Sequence, residues 1–215
     1  MANIFYIGDT HFGHTNSWAK FKNNDGTPLR PFTSNEEMDE TMIENWNKVV
    51  RPQDHVWHLG DVVINKRSLV NIQRLNGHKR LVPGNHDIEP VQKYLEAGFE
   101  KVQGYRVFVD EFICSHMPIH PDCISERFIA NVHGHLHGNR VRRETEDYKR
   151  WFYSELEYTE PEQYEIDPRY YNVSVEQINF TPIAHEDVKA RIKAQMDEQG
   201  YVPPAKGWGN GSKPS

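Results

Sequence analysis

Aspartate, asparagine and histidine recur in five short segments of this sequence, and these residue types bind divalent metals through oxygen and nitrogen atoms. Each segment follows an apolar run with the composition of a buried strand, so its polar side chains would gather where strands end. Together the segments could hold two metal ions over one phosphate group without any cysteine ligand. They are GDTH at 8–11, GD at 60–61, GNHD at 84–87, SH at 115–116 and GHLH at 134–137.

Each segment alone also has an ordinary structural interpretation. Asp9 and His11 could be a capping aspartate and a surface histidine of a turn, and Asp61 could be a turn aspartate after glycine. Asn85 could belong to a turn before a helix, and His116 could be a strand-end histidine that is satisfied within the core. The metal-binding hypothesis therefore depends on the whole ordered set rather than on any one segment.

The elements around the segments predict an α/β fold. Apolar runs predict strands over 2–7, 55–59 and 79–82, each directly before one of the first three segments. A helix is predicted to begin at Ser34, because Ser34 and Glu37 form a capping box before an apolar stripe at helical spacing. Strands therefore alternate with helices in this half of the chain, and ligands usually bind at the carboxyl ends of such strands.

The rest of the chain adds further helices and hairpin-like strands. Residues 139–170 are charged and aromatic with little periodicity, and they are predicted to form an insertion or a long loop. One domain is expected over 1–200, followed by a flexible tail over 201–215 that is rich in Pro, Gly, Lys and Ser. The other predicted elements are helices over 66–76, 90–97 and 184–199, a hairpin of 101–109 with 111–115 around Asp110, and strands over 129–133 and 171–175.

The bulk composition limits the classes of partner. The chain has 215 residues and a net charge of −6, so it has no general basic surface for duplex nucleic acid. No apolar stretch approaches the roughly 20 residues that a membrane span requires. The two cysteines, Cys114 and Cys123, form no CxxC pair, and we therefore predict free thiols in a protein of the reducing cytoplasm.

The ordered set of GDTH, GD, GNHD, H and GHLH resembles the motifs of the calcineurin-like metallophosphoesterase superfamily. Small bacterial and phage-type phosphoesterases are the members that it resembles most. The resemblance extends over about residues 1–183 and leaves 139–170 unexplained. It implies an α/β fold of two facing β-sheets flanked by helices, with a dimetal site at the rim where the strands end.

The resemblance also implies two divalent metal ions as cofactors. Manganese is the ion that we expect, with iron, zinc or nickel as alternatives, because this nitrogen and oxygen ligand set suits all four metals. By position, the implied ligands are Asp9, His11 and His137 for the first ion, Asn85, His116 and His135 for the second, and Asp61 as a bridge between them.

The implied activity is hydrolysis of phosphate esters, and phosphodiesters are the expected class. A hydroxide held by the two ions would attack phosphorus. His86 would act as the general acid that protonates the leaving oxygen, and Asp87 would orient its ring. A phosphomonoesterase and a non-catalytic metal-binding scaffold stay open as alternatives.

Residues outside the motifs indicate what the substrate could be. His14 and Arg30 lie in the loop after the first motif, and Arg142 and Trp151 lie in the charged and aromatic stretch. An arginine fork suits phosphate and an aromatic ring can stack on a base, so a nucleotide-like or short oligonucleotide substrate is predicted. The alternative for these residues is a solvated charged loop, and no oligomeric state follows from the sequence.

Overall fold

The structure, a computed structural model, describes residues 2–23, 25–124, 127–144 and 164–203. Within these ranges the chain forms a mixed α/β architecture with two main sheets and a two-stranded ribbon, so the predicted α/β class is confirmed. The strands are β1 Ile4–Ile7, β2 His55–His58, β3 His78–Leu81, β4 Phe99–Val102, β5 Arg106–Phe108, β6 Phe112–Cys114, β7 Ala130–His133, β8 Arg142–Glu144, β9 Tyr164–Ile166, β10 Tyr170–Asn172 and β11 Ile183–Ala184.

The larger sheet has the strand order β11-β1-β2-β3-β4. Its strands β1 to β4 run parallel, and β11 pairs antiparallel with β1 at the edge. β1 and β2 are each buried at three of their four positions, as is typical of parallel strands that are covered on both faces. The parallel alignment brings the carboxyl ends of β1, β2 and β3 to one edge, where the first three polar segments begin.

The smaller sheet packs against one face of the larger sheet. Its strand order is β10-β7-β6-β5, in which β10, β7 and β6 are parallel and β5 is antiparallel to β6. Tyr6 and Trp57 of the larger sheet share one buried apolar cluster with Phe112 and Val132 of the smaller sheet. The two sheets therefore face each other across a common core.

Helix α2, Asn35–Val49, covers the opposite face of the larger sheet. The helix begins where the capping box predicts, because the Ser34 side chain accepts a hydrogen bond from the backbone N–H of Glu37 at 3.0 Å. Met38 and Trp46 belong to its buried stripe and pack in the same core cluster as residues of the sheet. This packing fixes the sheet whose strand ends carry the polar segments.

The described residues contain three further α-helices. One of the predicted helices is a 3₁₀ helix. An α-helix is predicted over 66–76, but Lys66–Arg74 is a 3₁₀ helix. Its buried residues Leu69 and Ile72 are three positions apart, and a helix with three residues per turn places both on one side. The other α-helices are α1 Thr15–Ala19, α3 Val91–Glu96 and α4 His185–Glu198.

The prediction of one strand over 101–109 is wrong. β4, which ends at Val102, pairs with β3 in the larger sheet, whereas β5, which begins at Arg106, pairs with β6 in the smaller sheet. The chain crosses from one sheet to the other over 103–105. The apolar residues on either side of the crossing therefore belong to different layers, which their spacing in the sequence does not reveal.

Part of the segment 139–170 has regular structure instead of forming a loop throughout. β8 and β9 form an antiparallel ribbon in which Arg143 lies opposite Glu165. The remainder of this segment, 145–163, and residues 204–215 of the predicted tail lie outside the described residues.

The cysteines and the helices bear on two predictions from the composition. Cys114 is buried and Cys123 is exposed, and both are free thiols, as the sequence predicts. Among the described helices, none combines the length and the apolar composition that crossing a membrane requires.

Candidate metal centre

The polar segments meet at the rim where the strands of both sheets end. Asp9 follows β1, Asp61 follows β2 and Asn85 comes after β3, so the larger sheet supplies three of the positions. His116 and His135 come after β6 and β7 of the smaller sheet. Because β1, β2 and β3 are parallel, β6 and β7 are parallel, and the two sheets face each other, the carboxyl ends of these strands bring the residues together.

Two groups of side chains at this rim each have ligand atoms close enough to bind one metal ion. Within each group, these atoms lie within 4.8 Å of one another. The Oδ2 atom of Asp61 lies 3.5 Å from Nε2 of His11 and 3.5 Å from Nε2 of His116, so its carboxylate lies between the groups. The groups are Asp9, His11 and His137, and Asp61, His116 and His135.

Hydrogen bonding indicates which ring nitrogen of His116 faces the second group. Its Nδ1 atom donates to the backbone carbonyl of Leu59 at 2.8 Å. In the neutral ring the Nε2 lone pair then points toward Oδ1 of Asn85, 3.1 Å away, and toward Asp61. A nitrogen lone pair and two oxygen atoms repel one another unless a proton or a cation lies between them. This arrangement fits a metal ion and adds Asn85 to the second group.

His11 provides independent support for a metal in the first group. Its ring is buried, and neither ring nitrogen has a hydrogen-bond partner among the described residues. Burial, with help from the charge of Arg30, lowers the pKa of His11 well below its usual value, so the ring is neutral. A buried polar atom without a partner costs free energy. A metal ion would supply the missing partner, and the combined Asp, Asn and His donors suit manganese, iron, zinc or nickel.

Five candidate ligands have a left-handed backbone conformation, which residues other than glycine adopt rarely. Such a conformation costs on the order of 1–3 kcal/mol and persists only where the surrounding structure holds it. Several left-handed residues in the loops that carry the candidate ligands are typical of a functional site. The residues and their φ angles are Asp9 at 56°, His11 at 45°, Asp61 at 55°, His135 at 69° and His137 at 49°.

Two motif glycines allow the loops of the rim to approach each other closely. A Cβ atom on Gly84 would lie 2.1 Å from Oδ1 of Asp61, and a Cβ atom on Gly134 would lie 2.4 Å from Oδ2 of Asp9. Both distances are far shorter than any van der Waals contact. Any larger residue at these positions would displace the carboxylate of a candidate ligand, which explains why glycine precedes Asn85 and His135 in these two segments.

Asp9 is held by groups from distant parts of the chain. Its carboxylate accepts a hydrogen bond from the backbone N–H of His135 at 2.9 Å and one from the Ser174 hydroxyl at 2.8 Å. Burial raises the pKa of Asp9 to about 6. Ser174 is not among the residues predicted for the site, because it is 165 positions away from Asp9 and lies in none of the five motifs.

A buried chain of charged groups supports His137. Its Nδ1 atom donates to Oε1 of Glu176 at 3.1 Å, and the Nε nitrogen of Arg30 donates to the same oxygen at 2.8 Å. Burial by itself would raise the pKa of Glu176, but Arg30 and His137 hold it at about 2. Glu176 therefore stays ionised and directs Nε2 of His137 toward the metal group. Glu176, like Ser174, lies in none of the five motifs and is not among the residues predicted for the site.

Arg30 is not placed to contact a substrate, in contrast to the sequence-based interpretation. Its side chain is completely buried, and its guanidinium donates to the backbone carbonyls of Asp9 at 2.6 Å and Thr10 at 2.8 Å. Together with the ion pair to Glu176, these bonds engage the guanidinium inside the protein. Arg30 therefore supports the first metal-binding loop from behind.

His86 and Asp87 have separate positions, although they are adjacent in the sequence. His86 is exposed at the rim, with its ring centroid 5.4 Å from that of His11. The carboxylate of Asp87 holds the loop backbone instead of the His86 ring. Asp87 accepts hydrogen bonds from the backbone N–H groups of Asp61 at 2.7 Å, Gly84 at 2.8 Å and Val62 at 3.0 Å.

Of the other three residues predicted to contact substrate, only His14 is shown to lie beside the metal centre. His14 lies beside it, with ring centroids 5.4 Å from His11 and 5.5 Å from Phe21. Arg142 is exposed on β8, in the two-stranded ribbon outside the main sheets. Trp151 lies outside the described residues.

One curated relative covers almost the whole chain. The uncharacterized protein MJ1445 of Methanocaldococcus jannaschii is 33% identical over 195 residues, which are 86% of this chain and 88% of the relative. The chain belongs to the MJ1445 family. No family model matches the chain.

One solved structure supports the fold of this MJ1445-family member. The protein of unknown function AQ665 from Aquifex aeolicus matches with a TM-score of 0.55 and 22% identity, covering 88% of this chain and 99% of that chain. Nuclease MPE of Pseudomonas putida matches with a TM-score of 0.41 and 17% identity over 62% of this chain and 61% of its own. An archaeal phosphodiesterase matches with a TM-score of 0.39 and 20% identity, over 67% of this chain and 79% of its own. The similarity to AQ665 extends to the fold alone.

Proposed function

We propose that this protein is a metal-dependent phosphodiesterase of the calcineurin-like metallophosphoesterase superfamily. The observation that carries the proposal is the position of Asp61, whose Oδ2 lies 3.5 Å from a ring nitrogen of His11 and of His116, one from each ligand group. A carboxylate in this position can bridge two cations about 3.5–4 Å apart and partly offset their repulsion. The order of the five motifs in the sequence supports the same superfamily.

The donor groups define how two ions would be held. When bound, two divalent ions would neutralise charge on a phosphate group and lower the pKa of a water molecule. Manganese suits the nitrogen and oxygen donors, and iron, zinc and nickel are the alternatives. Asp9, His11 and His137 would hold one ion, Asn85, His116 and His135 would hold the other, and Asp61 would contribute to both.

His86 would protonate the leaving oxygen. It is exposed at the rim beside the His11 ring, and its backbone N–H donates to Oδ1 of Asp61 at 2.8 Å. In hydrolysis, a bond from water oxygen to phosphorus forms while the bond to the leaving oxygen breaks, and the departing alkoxide needs a proton. The imidazole of His86 can donate this proton, which favours hydrolysis of esters with poor leaving groups.

Two other residues would maintain the geometry without touching the substrate. Asp87 fixes the loop that carries Asn85 and His86 through three backbone hydrogen bonds. Glu176 holds the Nδ1 proton of His137 and so keeps the Nε2 lone pair available to the first ion.

The space beside the metal ligands supports a diester over a monoester. A groove of about 1040 Å³ is lined by His135 and His137, and it extends away from them along the loop that follows α1. Small-molecule sites typically have volumes of about 300–1,000 Å³, so this groove is slightly larger than that range. A diester has a substituent on each side of phosphorus, so it can use such a groove, whereas a simple monoester leaves most of it empty.

The proposal can be tested with metal-stripped protein that is reconstituted with Mn²⁺. Hydrolysis of bis-p-nitrophenyl phosphate and of p-nitrophenyl phosphate is measured for the wild type, for Asp61→Asn and for Asp187→Asn, which changes an exposed aspartate of α4 as a matched control. We expect faster hydrolysis of the diester, lost in Asp61→Asn and kept in Asp187→Asn. Preference for the monoester would overturn the diester assignment. Absence of turnover with both ions bound would overturn the enzymatic function.

A further inference from the structure

A groove opens directly beside the two metal groups. The residues of one of its walls have no role in the proposed hydrolysis. His135 and His137 form the inner end of the groove. Lys20, Phe21 and Lys22, which directly follow α1, line the same groove. A substrate whose phosphate lies at the metal ligands therefore has this wall beside it.

The wall combines two free cations with an exposed aromatic ring. Lys20 and Lys22 are exposed, and neither has an ion-pair partner among the described residues. The side chain of Phe21 is 47% exposed, although it is a large apolar group. Its ring meets that of His14 edge to face, with centroids 5.5 Å apart, so Phe21 lies near the metal centre. Cations beside an exposed ring match a polymer that alternates phosphates with planar bases.

The loop behind this wall is held in one shape by its own hydrogen bonds. The backbone N–H of Leu29 donates to the carbonyl of Phe21 at 2.8 Å, and that of Asn23 donates to the carbonyl of Thr27 at 2.9 Å. Asn23 also touches the metal-binding loop, because a Cβ atom on Gly138 would lie only 2.6 Å from its Oδ1. The wall is therefore preorganised relative to the metal ligands, which reduces the entropy cost of binding.

The charge of the groove differs in sign from that of the whole chain. The chain carries a net charge of −6, whereas the two lysines outnumber Asp25, the one acidic residue of the loop that lines the groove. The Asp25 carboxylate is held by Thr27, which donates to it from its backbone N–H and its hydroxyl. Glu176 also borders the groove, but its ion pair with Arg30 balances its charge. An anionic ligand is therefore attracted to this groove in particular.

We propose that the groove binds a single-stranded oligonucleotide next to the phosphodiester that is hydrolysed. Lys20 and Lys22 contact phosphates that flank the scissile one, and a base stacks on Phe21. Stacking on Phe21 requires an unpaired base, and two lysines contact too few phosphates to hold a duplex. This inference depends on the proposed phosphodiesterase function and names its substrate class.

The test measures kcat/KM of the Mn²⁺-loaded enzyme for a ten-residue oligodeoxythymidylate at several NaCl concentrations. The double variant Lys20→Gln/Lys22→Gln is compared with Lys48→Gln/Lys101→Gln, which removes the same charge from exposed positions that do not line the groove. We expect the first pair to lower kcat/KM about tenfold or more at low salt and to reduce the slope of log kcat/KM against log[NaCl] by about 0.7 for each lysine. The control pair should change neither value.

Two further measurements separate this inference from the proposed function. Hydrolysis of bis-p-nitrophenyl phosphate, which has no flanking phosphate for the lysines to contact, should be the same in the wild type and in Lys20→Gln/Lys22→Gln. Phe21→Leu should lower kcat/KM for the oligonucleotide about fivefold or more. If the small diester is hydrolysed but both lysine pairs affect the oligonucleotide equally, the groove assignment is wrong. If the wild type hydrolyses no diester, the proposed function itself fails.

Discussion

The Nδ1 atom of His137 lies 3.1 Å from Oε1 of Glu176 inside the protein. A carboxylate can only accept in this pair, so a proton is on Nδ1, and in the neutral ring the Nε2 lone pair is then free to bind a metal ion. Histidine ligands of metals are commonly oriented by such a carboxylate. Through this pair, the buried carboxylate of Glu176 orients the His137 ring in the first metal group.

Replacing this carboxylate should weaken metal binding. Glu176→Gln keeps the size of the side chain but removes the charge that holds the His137 proton. We expect the affinity for Mn²⁺ at the first group to fall by about 10–100-fold, measured by isothermal titration calorimetry. Glu186→Gln, an exposed change on α4, should leave the affinity unchanged. Equal Mn²⁺ affinity in Glu176→Gln and the wild type would show that Glu176 does not orient the ligand.

Arg30 should contribute to stability rather than to substrate binding. Arg30→Met leaves the buried carboxylate of Glu176 without its cation, and removing one partner of a buried pair costs about 3–5 kcal/mol. Urea denaturation should show this loss in the free energy of unfolding, and Arg30→Met/Glu176→Leu should recover part of it. Arg142→Met, on the exposed ribbon, should change stability by less than about 0.5 kcal/mol. Unchanged stability with a raised KM would instead place Arg30 in contact with substrate.

The role of His86 should depend on the leaving group. His86→Asn removes the proton donor, so hydrolysis of a dinucleotide, whose leaving alkoxide is strongly basic, should slow by about 10²–10⁴-fold. The p-nitrophenyl ester of thymidine 5′-phosphate has a good leaving group and should be affected far less. His78→Asn is the matched control, because His78 is exposed at the opposite end of β3 from the metal-binding loop. Equal slowing for both substrates would argue against proton donation by His86.

Asp54 should make stability depend on pH in the acid range. Hydrogen bonds from the Arg51 guanidinium, together with backbone N–H groups of Asn3 and Arg51, hold the pKa of Asp54 well below its usual value. A carboxyl group with a lowered pKa stabilises the fold above its unfolded pKa of about 3.9, and this contribution is lost as pH falls through the folded pKa. Asp54→Asn should therefore cost about 1–3 kcal/mol at neutral pH.

The cost of Asp54→Asn should shrink as the solution is acidified below about pH 4. Urea denaturation of the wild type and the variant at neutral and acid pH measures this difference. A cost that is the same at both pH values would mean that the ionised carboxylate is not what stabilises this turn.

The candidate metal ligands could be proposed from the sequence because each belongs to a short motif at the end of an apolar strand. The glycines and polar residues of GNHD and GHLH are adjacent in the chain, so local spacing carries most of the information. Glu176 and Ser174 carry no such signal. They reach the site through contacts with residues 39 and 165 positions away, which only the folded chain brings together.

The interpretations that the structure changes share the same physical cause. The residue type of Arg30 and its place after the first motif predict a substrate contact, but its partner Glu176 is 146 positions away. The strand predicted over 101–109 combined two apolar runs that belong to different sheets. In both cases a long-range contact, absent from the local pattern, decides the outcome.

The most direct test of the central claim, that Asp61 joins two metal ions in one hydrolytic site, is a titration of metal-free protein with Mn²⁺. Bound metal and turnover of bis-p-nitrophenyl phosphate are measured in the same samples. Turnover should stay low while one ion per chain is bound and rise steeply to a plateau at two, and Asp61→Asn should abolish the rise. Full turnover with one ion per chain, or none with two ions bound, would contradict the account.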